Sequence, residues 1–540
     1  MQNIERFDLA QIPQLSAIDR AYTSGAEELR DFYAHEVNYA AFEQIIAQKS
    51  AHYSAENRAA LVSVLTAQYK RLRDDMPHKA LIMRNIAKLA NPKTFVITTA
   101  HQPSVATGVL YYVYKILAAV RLAEELKTRY AEYDFVPVYW LGGEDHDFDE
   151  ISSINIFNKR LIWEKGEKGG SVGRMSTDSL RDFLAELQPI LGDSANAQEV
   201  FELLQSAYTE QPNFADATRQ LLLSFFGSRG LVMLDGDEKQ LKQLFIPAMQ
   251  NDLFRHDSQR LVGETVQAMA QIGYDNQAFV RQINLFYFLP NGRERIVFDE
   301  ATQLYSVLNT DLSFTSEGIL AELLAKPELF SPNVILRPLY QETVLPNLAY
   351  IGGGGEIAYW LERRAQFAHF GVPMPMLLRR PSLLLLDPPT QQRLTKLNLS
   401  IADLLPHYDI IAKNYLLAQT PDSIDCETER EKVVQIFADF QQRIATFDKE
   451  LTTFIAAQQT QVDNIFGKIA EKLTRSAKKR EETNLQQIQK LKDKLFPKNG
   501  LQERVENILP FYLSHGSDIF EHIAQAIVDP LAQEFIVLAL

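Results

Sequence analysis

The sequence predicts an α/β protein: a parallel-sheet core interrupted by insertions, followed by an all-α coiled-coil arm. Three observations predict it. Short apolar, β-branched runs alternate with helical periodicity in strand–loop–helix–strand order. Polar or glycine-rich turns follow those runs directly. Between residues 427 and 495 there is no proline and a single glycine, Gly467, and the apolar residues fall at heptad spacing.

Residues 1 to about 92 read as helical. In "AENRAALVSVLTAQYKRL", Leu61, Val64, Leu65 and Tyr69 recur at helical intervals, and Ser54 stands where a cap belongs. "NPK" breaks the pattern, and "TFVITT" follows as a buried strand. After "AHQPSVATG" comes the helix "VLYYVYKILAAVRLAEELKTRY", then the strand "FVPVYWLGG". Such βαβ units build parallel sheets and place ligands at the carboxyl ends of their strands. "GSRGLVMLDGD", "LAYIGGGGEIAYWLERRAQF" and "VPMPMLLRRPSLLLLD" supply further strands. Between them, residues from about 153 to 175 read as short strands with glycine turns, and residues from about 178 to 272 as mostly helical. "INLFYFLPNGRERIVFD" reads as a hairpin turning at Asn291-Gly292.

The expected boundaries are a core over 1–387 with a helical N-terminal region and insertions, an arm over 388–500, and a helical tail over 501–540 that packs back on the core. In the arm, Val433, Phe437, Phe440, Ile444, Phe447, Leu451 and Phe454 form the seam. A helical hairpin turning near "AAQQTQVDN" is favoured over one long helix. The seam serves either packing within one subunit or a homodimer, and the phenylalanines favour the dimer.

Composition bounds the function. Of 540 residues 46% are hydrophobic and 23% charged, as in an ordinary globular chain. A net charge of -14 argues against nucleic acid or a membrane surface as partner. One cysteine, Cys426, excludes an internal disulfide and a cysteine-based zinc site. The N-terminus lacks the pattern of a signal peptide, and no apolar run approaches the ~20 residues of a membrane span. A cytoplasmic location is expected.

Four segments could carry chemistry. In "GEDHDFDE", Glu144, Asp145, His146 and Asp147 could hold a divalent cation or an ammonium group, or move a proton. The competing reading is a solvated turn capping the next helix, which suits Glu150 best. In "AHQPSVATG", His101, Gln102, Ser104 and Thr107 precede a long helix whose free N–H groups suit an anion. In "YIGGGGEIAYW", Gly353, Gly354 and Glu356 stand at a second helix start; the plain alternative is a flexible connection. Arg337 and Arg379, the latter beside Arg380 and Ser382, could bind carboxylate or phosphate. They matter only if they converge on the glycine turn.

"GEDHDFDEI", "INLFY", "SPNVILRPLYQE", "LPNLAYIGGGGEIAYW" and "LFPKNGLQERVENILPFY", taken in order, resemble the cysteine-adding enzymes of bacillithiol biosynthesis. The resemblance implies a Rossmann-like core with connecting-peptide insertions and a coiled-coil arm supporting a homodimer. It implies a ligase forming a carbon–nitrogen (amide) bond between cysteine and an amino-sugar malate conjugate, glucosaminyl malate. It also suggests nucleotide binding; from the residues themselves, ATP is expected to activate the cysteine carboxylate, with Asp145, Asp147 or Glu144 holding magnesium or the cysteine ammonium. The chain departs from the family in reading "TTAHQP" where many members have a Thr-Gly-Gln-Gln type turn, and in lacking the proline common in the glycine turn. Two rivals are a metal-dependent hydrolase built on the acidic cluster and a non-catalytic coiled-coil scaffold.

Overall fold

The computed structural model describes residues 4–164, 170–290, 292–419 and 426–540. They fall into two compact units, Met1–Leu385 with Glu503–Leu540, and Leu386–Gln502.

The first unit is built on five strands: β1 (Thr94–His101), β2 (Asp134–Leu141), β3 (Val232–Asp235), β4 (Asn347–Gly352) and β5 (Met376–Arg379). All neighbouring pairs are parallel, and the spatial order is 3-2-1-4-5. This is the doubly wound, Rossmann-like arrangement, and strand order reverses between β1 and β4. Ligands in such sheets sit outside the carboxyl ends at that switch point. Here those ends carry His101 and Gly352.

Near-continuous apolar runs form these strands because both faces are covered. Phe95, Ile97, Tyr139 and Leu141 pack in one core with α1 (Leu110–Arg129), whose Leu110, Val113, Leu117 and Ala118 are fully buried. Val96, Val136, Val138 and Trp140 face the second core, which holds Leu61, Val64, Leu65 and Tyr69. Those four lie on the helix Ala55–Lys70, and Ser54 Oγ accepts the Asn57 N–H at 3.1 Å as its cap.

Both chain ends depart from the helical expectation. Ile4–Asp8 pairs antiparallel with Glu534–Ala539, and with Ser382–Leu386 they form a separate three-stranded sheet. In "VPMPMLLRRPSLLLLD", two strands flank Arg380 and Pro381: β5 ends in the central sheet, and the next strand joins the terminal one. The insertions include the hairpin Ser153–Ile156/Lys159–Ile162 and a five-stranded sheet containing Leu285–Leu289 and Gly292–Asp299. In the latter, Leu289 opposes Gly292, so Gly292 begins a strand rather than closing the turn. Asn291, expected in that turn, lies outside the described residues, as does the glycine-bearing stretch 165–169.

The second unit is helical. Its arm comprises α3 (Glu427–Ile444), α4 (Lys449–Arg480) and α5 (Glu482–Leu495). Gln441 bonds to Gln459 at 3.3 Å and Arg430 to Asp463 at 2.7 Å, so α3 and α4 run antiparallel. The chain turns at residues 445–448, earlier than the "AAQQTQVDN" expected. Asp448 caps the second helix through the Glu450 N–H, at 2.8 Å. Phe440, Phe447, Leu451 and Phe454 of the seam remain exposed.

Candidate functional site

Two turns meet at the carboxyl edge of the sheet. The first follows β1. His101 Nδ1 lies 3.1 Å from the Gln102 carbonyl and must donate to it; Nε2 then accepts from the Tyr111 hydroxyl at 3.0 Å. Burial first, and the Lys115 ammonium next, push His101 down to about 4, so it is neutral at pH 7. Gln102 reaches the other way: its Nε2 donates to Asp145 Oδ2 at 2.6 Å. This bond ties the β1 turn to the acidic loop after β2.

Within that loop the four expected residues separate into different roles. Asp145 accepts from Gln102 through one oxygen and from the His146 N–H through the other, at 2.7 Å. His146 Nδ1 stands 3.1 Å from an Arg293 nitrogen. Glu144 points away, accepting from the buried Lys242 ammonium at 2.8 Å. Lys242 also donates to the Phe330 carbonyl at 2.8 Å, so Glu144 belongs to a buried ion pair. Asp147 is exposed and caps the short helix Phe148–Ile151 through the Glu150 N–H, at 3.3 Å.

Across the switch point, α2 (Gly354–Leu361) starts the other wall. Glu356 accepts from the Gly353 N–H at 2.8 Å and the Tyr350 hydroxyl at 2.7 Å, and forms an ion pair with Lys115. Burial would raise Glu356, but Lys115 and these donors hold it at about 2. Lys115, only 2% exposed, also donates to the Ala100 carbonyl at 3.0 Å. It sits inside an apolar stretch, "YYVYKILAAV", where a lone lysine on a buried helix face is the signal the sequence carries for it.

Both helix starts are partly filled by this chain's own groups. At α2, the Gly353 N–H is taken by Glu356, and a Cβ on Gly354 would stand 2.0 Å from Asp19 Oδ2. Arg379 is fully buried and bonded to that Asp19 carboxylate at 3.0 Å and to Ser382 Oγ at 3.2 Å. It supports the wall and is not free for a ligand. Arg380 is likewise paired with the buried Glu503. Arg337 stays half-buried, donating to Gln341 and Tyr359 and lying 5.8 Å from the Tyr350 ring centre.

At α1, the Leu110 N–H bonds to the Glu506 carbonyl at 2.8 Å, and Asn507 donates to the carbonyls of Ala106 and Gly108. Ser104 and Thr107 are buried in this turn, where Ala106, Thr107 and Gly108 all take positive φ. Thr107 Oγ1 has no hydrogen-bond partner among the described residues.

Beside the acidic loop, a cavity of about 800 Å³ opens between Ser171 and Arg174 on one side and Tyr287, Phe288 and Leu289 on the other. Ser171 Oγ donates to the Gly143 carbonyl at 2.6 Å, and Arg174 grips Asp237 with two bonds of 2.6 and 2.8 Å. Asp235, at the end of β3, is raised to about 7 by burial and then by Asp237. Among the described residues, no three histidine, cysteine or acidic side chains converge to hold a metal ion.

Residues 4–381 match the N-terminal Rossmann-like domain of the bacillithiol biosynthesis protein BshC, and residues 383–540 match its C-terminal coiled-coil domain. The chain belongs to the BshC family. Relatives named "Putative cysteine ligase BshC" span nearly its whole length. The one from Flavobacterium johnsoniae is 39% identical over 96% of each chain. That from Flavobacterium psychrophilum is 38% identical over 95% of each, and that from Christiangramia forsetii 35% over 96% of this chain and 95% of its own. Among the described residues, no helix is long and apolar enough to cross a membrane.

Proposed function

We propose that this protein is a cytoplasmic ligase that joins the carboxyl group of cysteine to the amine of glucosaminyl malate, forming an amide in bacillithiol biosynthesis. The observation that carries the reading is the Gln102–Asp145 bond of 2.6 Å, in a chain of the BshC family. It fuses two turns at the sheet edge into one polar site holding Asp145, His146 and Gln102. Family relatives are named cysteine ligases, and the site has groups suited to a zwitterionic amino acid and an amine.

Amide formation needs an activated carboxyl group. ATP or another nucleotide, with magnesium, supplies that activation when bound. The α1 start is largely filled by this chain's own acceptors, so the open start of α2 at Gly355 and the half-buried Arg337 are the places left to receive phosphate. The attacking amine must lose a proton. Asp145 takes it, because its carboxylate is partly exposed at the edge of the site while Glu144 is held by Lys242. Gln102 holds the carboxylate in place through one oxygen.

The exposed phenylalanines of the arm support a homodimer formed through α3 and α4. The role of Asp145 is tested by Asp145→Asn, with folding checked by circular dichroism. Product formation should fall by at least about 100-fold, in line with loss of a general base. Turnover equal to wild type would remove Asp145 from the chemistry.

A further inference from the structure

The inserted strand Gly292–Asp299 sends one buried arginine to the acidic loop. Arg293 has a side chain only 6% exposed, and each of its nitrogens has an acceptor. Nε donates to Ser331 Oγ at 3.0 Å, one terminal nitrogen to the Pro332 carbonyl at 3.0 Å, and the other to His146 Nδ1 at 3.1 Å. The Phe286 ring lies against both partners, its centre 4.1 Å from the guanidinium carbon and 5.6 Å from the imidazole centre. The arginine is therefore held before any ligand arrives.

A guanidinium carries donors only, so Nδ1 of His146 must accept. A proton on Nδ1 would face an N–H 3.1 Å away. Asp145 Oδ1 offers a competing acceptor at 3.5 Å from Nδ1, but that oxygen already accepts the His146 backbone N–H at 2.7 Å. The shorter contact decides. The neutral ring then carries its proton on Nε2, and the side chain is 45% exposed, within reach of a ligand.

We propose that Arg293 is a positioning residue that fixes His146 as the Nε2–H tautomer, so that His146 donates a hydrogen bond to the reacting carboxyl oxygen instead of taking the amine proton. The identity of that oxygen rests on the ligase reading above. As the amine nitrogen bonds to the activated carboxyl carbon, the carbonyl electron pair moves onto oxygen, where Nε2–H stabilises it. The pair returns as the activating group leaves with its bonding electrons, and the amine proton goes to Asp145. His146 ends each turnover with the proton it began with.

Two substitutions separate donor from base. His146→Gln keeps an N–H near the Nε2 position and has no basic nitrogen; His146→Leu has neither. We expect His146→Leu to lose about 100- to 1,000-fold in turnover, as for one lost oxyanion donor, and His146→Gln to stay within about tenfold of wild type. Equal collapse of both variants, with wild type active and both folded, would overturn the donor role. An independent readout is ¹⁵N NMR of histidine-labelled protein, with His146 assigned from the His146→Gln spectrum. It should show the Nε2–H tautomer in wild type and a mixture of tautomers in Arg293→Met. An Nδ1–H tautomer in wild type would overturn the positioning role. Should wild type form no condensed product, the ligase reading fails, and the NMR result still judges the tautomer.

Discussion

Replacing Glu356 by Gln strands the Lys115 ammonium in the core between β1 and α2. Lys115 is 2% exposed and Glu356 23%, so solvent can do little to compensate. Depression of Glu356 from its ordinary 4.5 to about 2 corresponds, at ~1.4 kcal/mol per pH unit, to about 3 kcal/mol of stability. Removing one partner of a buried pair costs ~3–5 kcal/mol, in the same range. The sign follows from the direction: a depressed carboxylate stabilises above its unfolded pKa, and the contribution is lost as pH falls from about 4.5 through about 2. All three tryptophans, Trp140, Trp163 and Trp360, lie in the unit containing the sheet, so their fluorescence reports its unfolding without interference from the arm. In urea at pH 7, Glu356→Gln should lose about 3 kcal/mol, and the double variant Lys115→Met/Glu356→Gln should recover part of that loss. A loss below ~1 kcal/mol for the single variant, or strict additivity in the double variant, would refute the claim that this pair is a buried, mutually dependent element of the wall.

Other consequences follow from the same geometry. Gly354→Ala drives a methyl into the Asp19 carboxylate that Arg379 holds in place, and should cost ~1–3 kcal/mol in thermal or urea unfolding. Gly355→Ala meets no atom within 4 Å, and should be neutral or stabilise by up to ~1 kcal/mol in the same assay. Asp147→Ala removes only a cap, so turnover should remain within about tenfold of wild type, with a stability loss of ~1 kcal/mol. Phe447→Glu/Phe454→Glu places charge on the exposed face of the arm; if the proposed homodimer forms through that face, light scattering should show dimer for wild type and monomer for the variant, with tryptophan fluorescence unchanged.

The central sheet was legible because its strands are buried on both faces and read as unbroken apolar runs with sharp polar ends. The same pattern located the β1 turn, the acidic loop and the glycine turn at one edge. What the pattern could not show was which partners reach those turns from far away. Asp19 and Arg379 meet across 360 positions, and Arg293 and His146 across 147. Local sequence offers no register for such contacts, so Arg379 read as a free cation and Glu144 as a free carboxylate. The terminal sheet escaped notice because each of its strands is short and its partners lie at opposite ends of the chain. In the arm, Phe447 continues the heptad spacing through a turn, so periodicity alone carried the helix past the break that Asp448 caps.

The most direct test of the ligase reading is mass spectrometry of purified protein incubated with cysteine, glucosaminyl malate, ATP and magnesium. The account predicts a nucleotide-dependent product with the mass of the two substrates less one water, absent when either substrate is omitted. Failure to form that product with folded protein, across a panel of nucleotides and divalent metals, would contradict it.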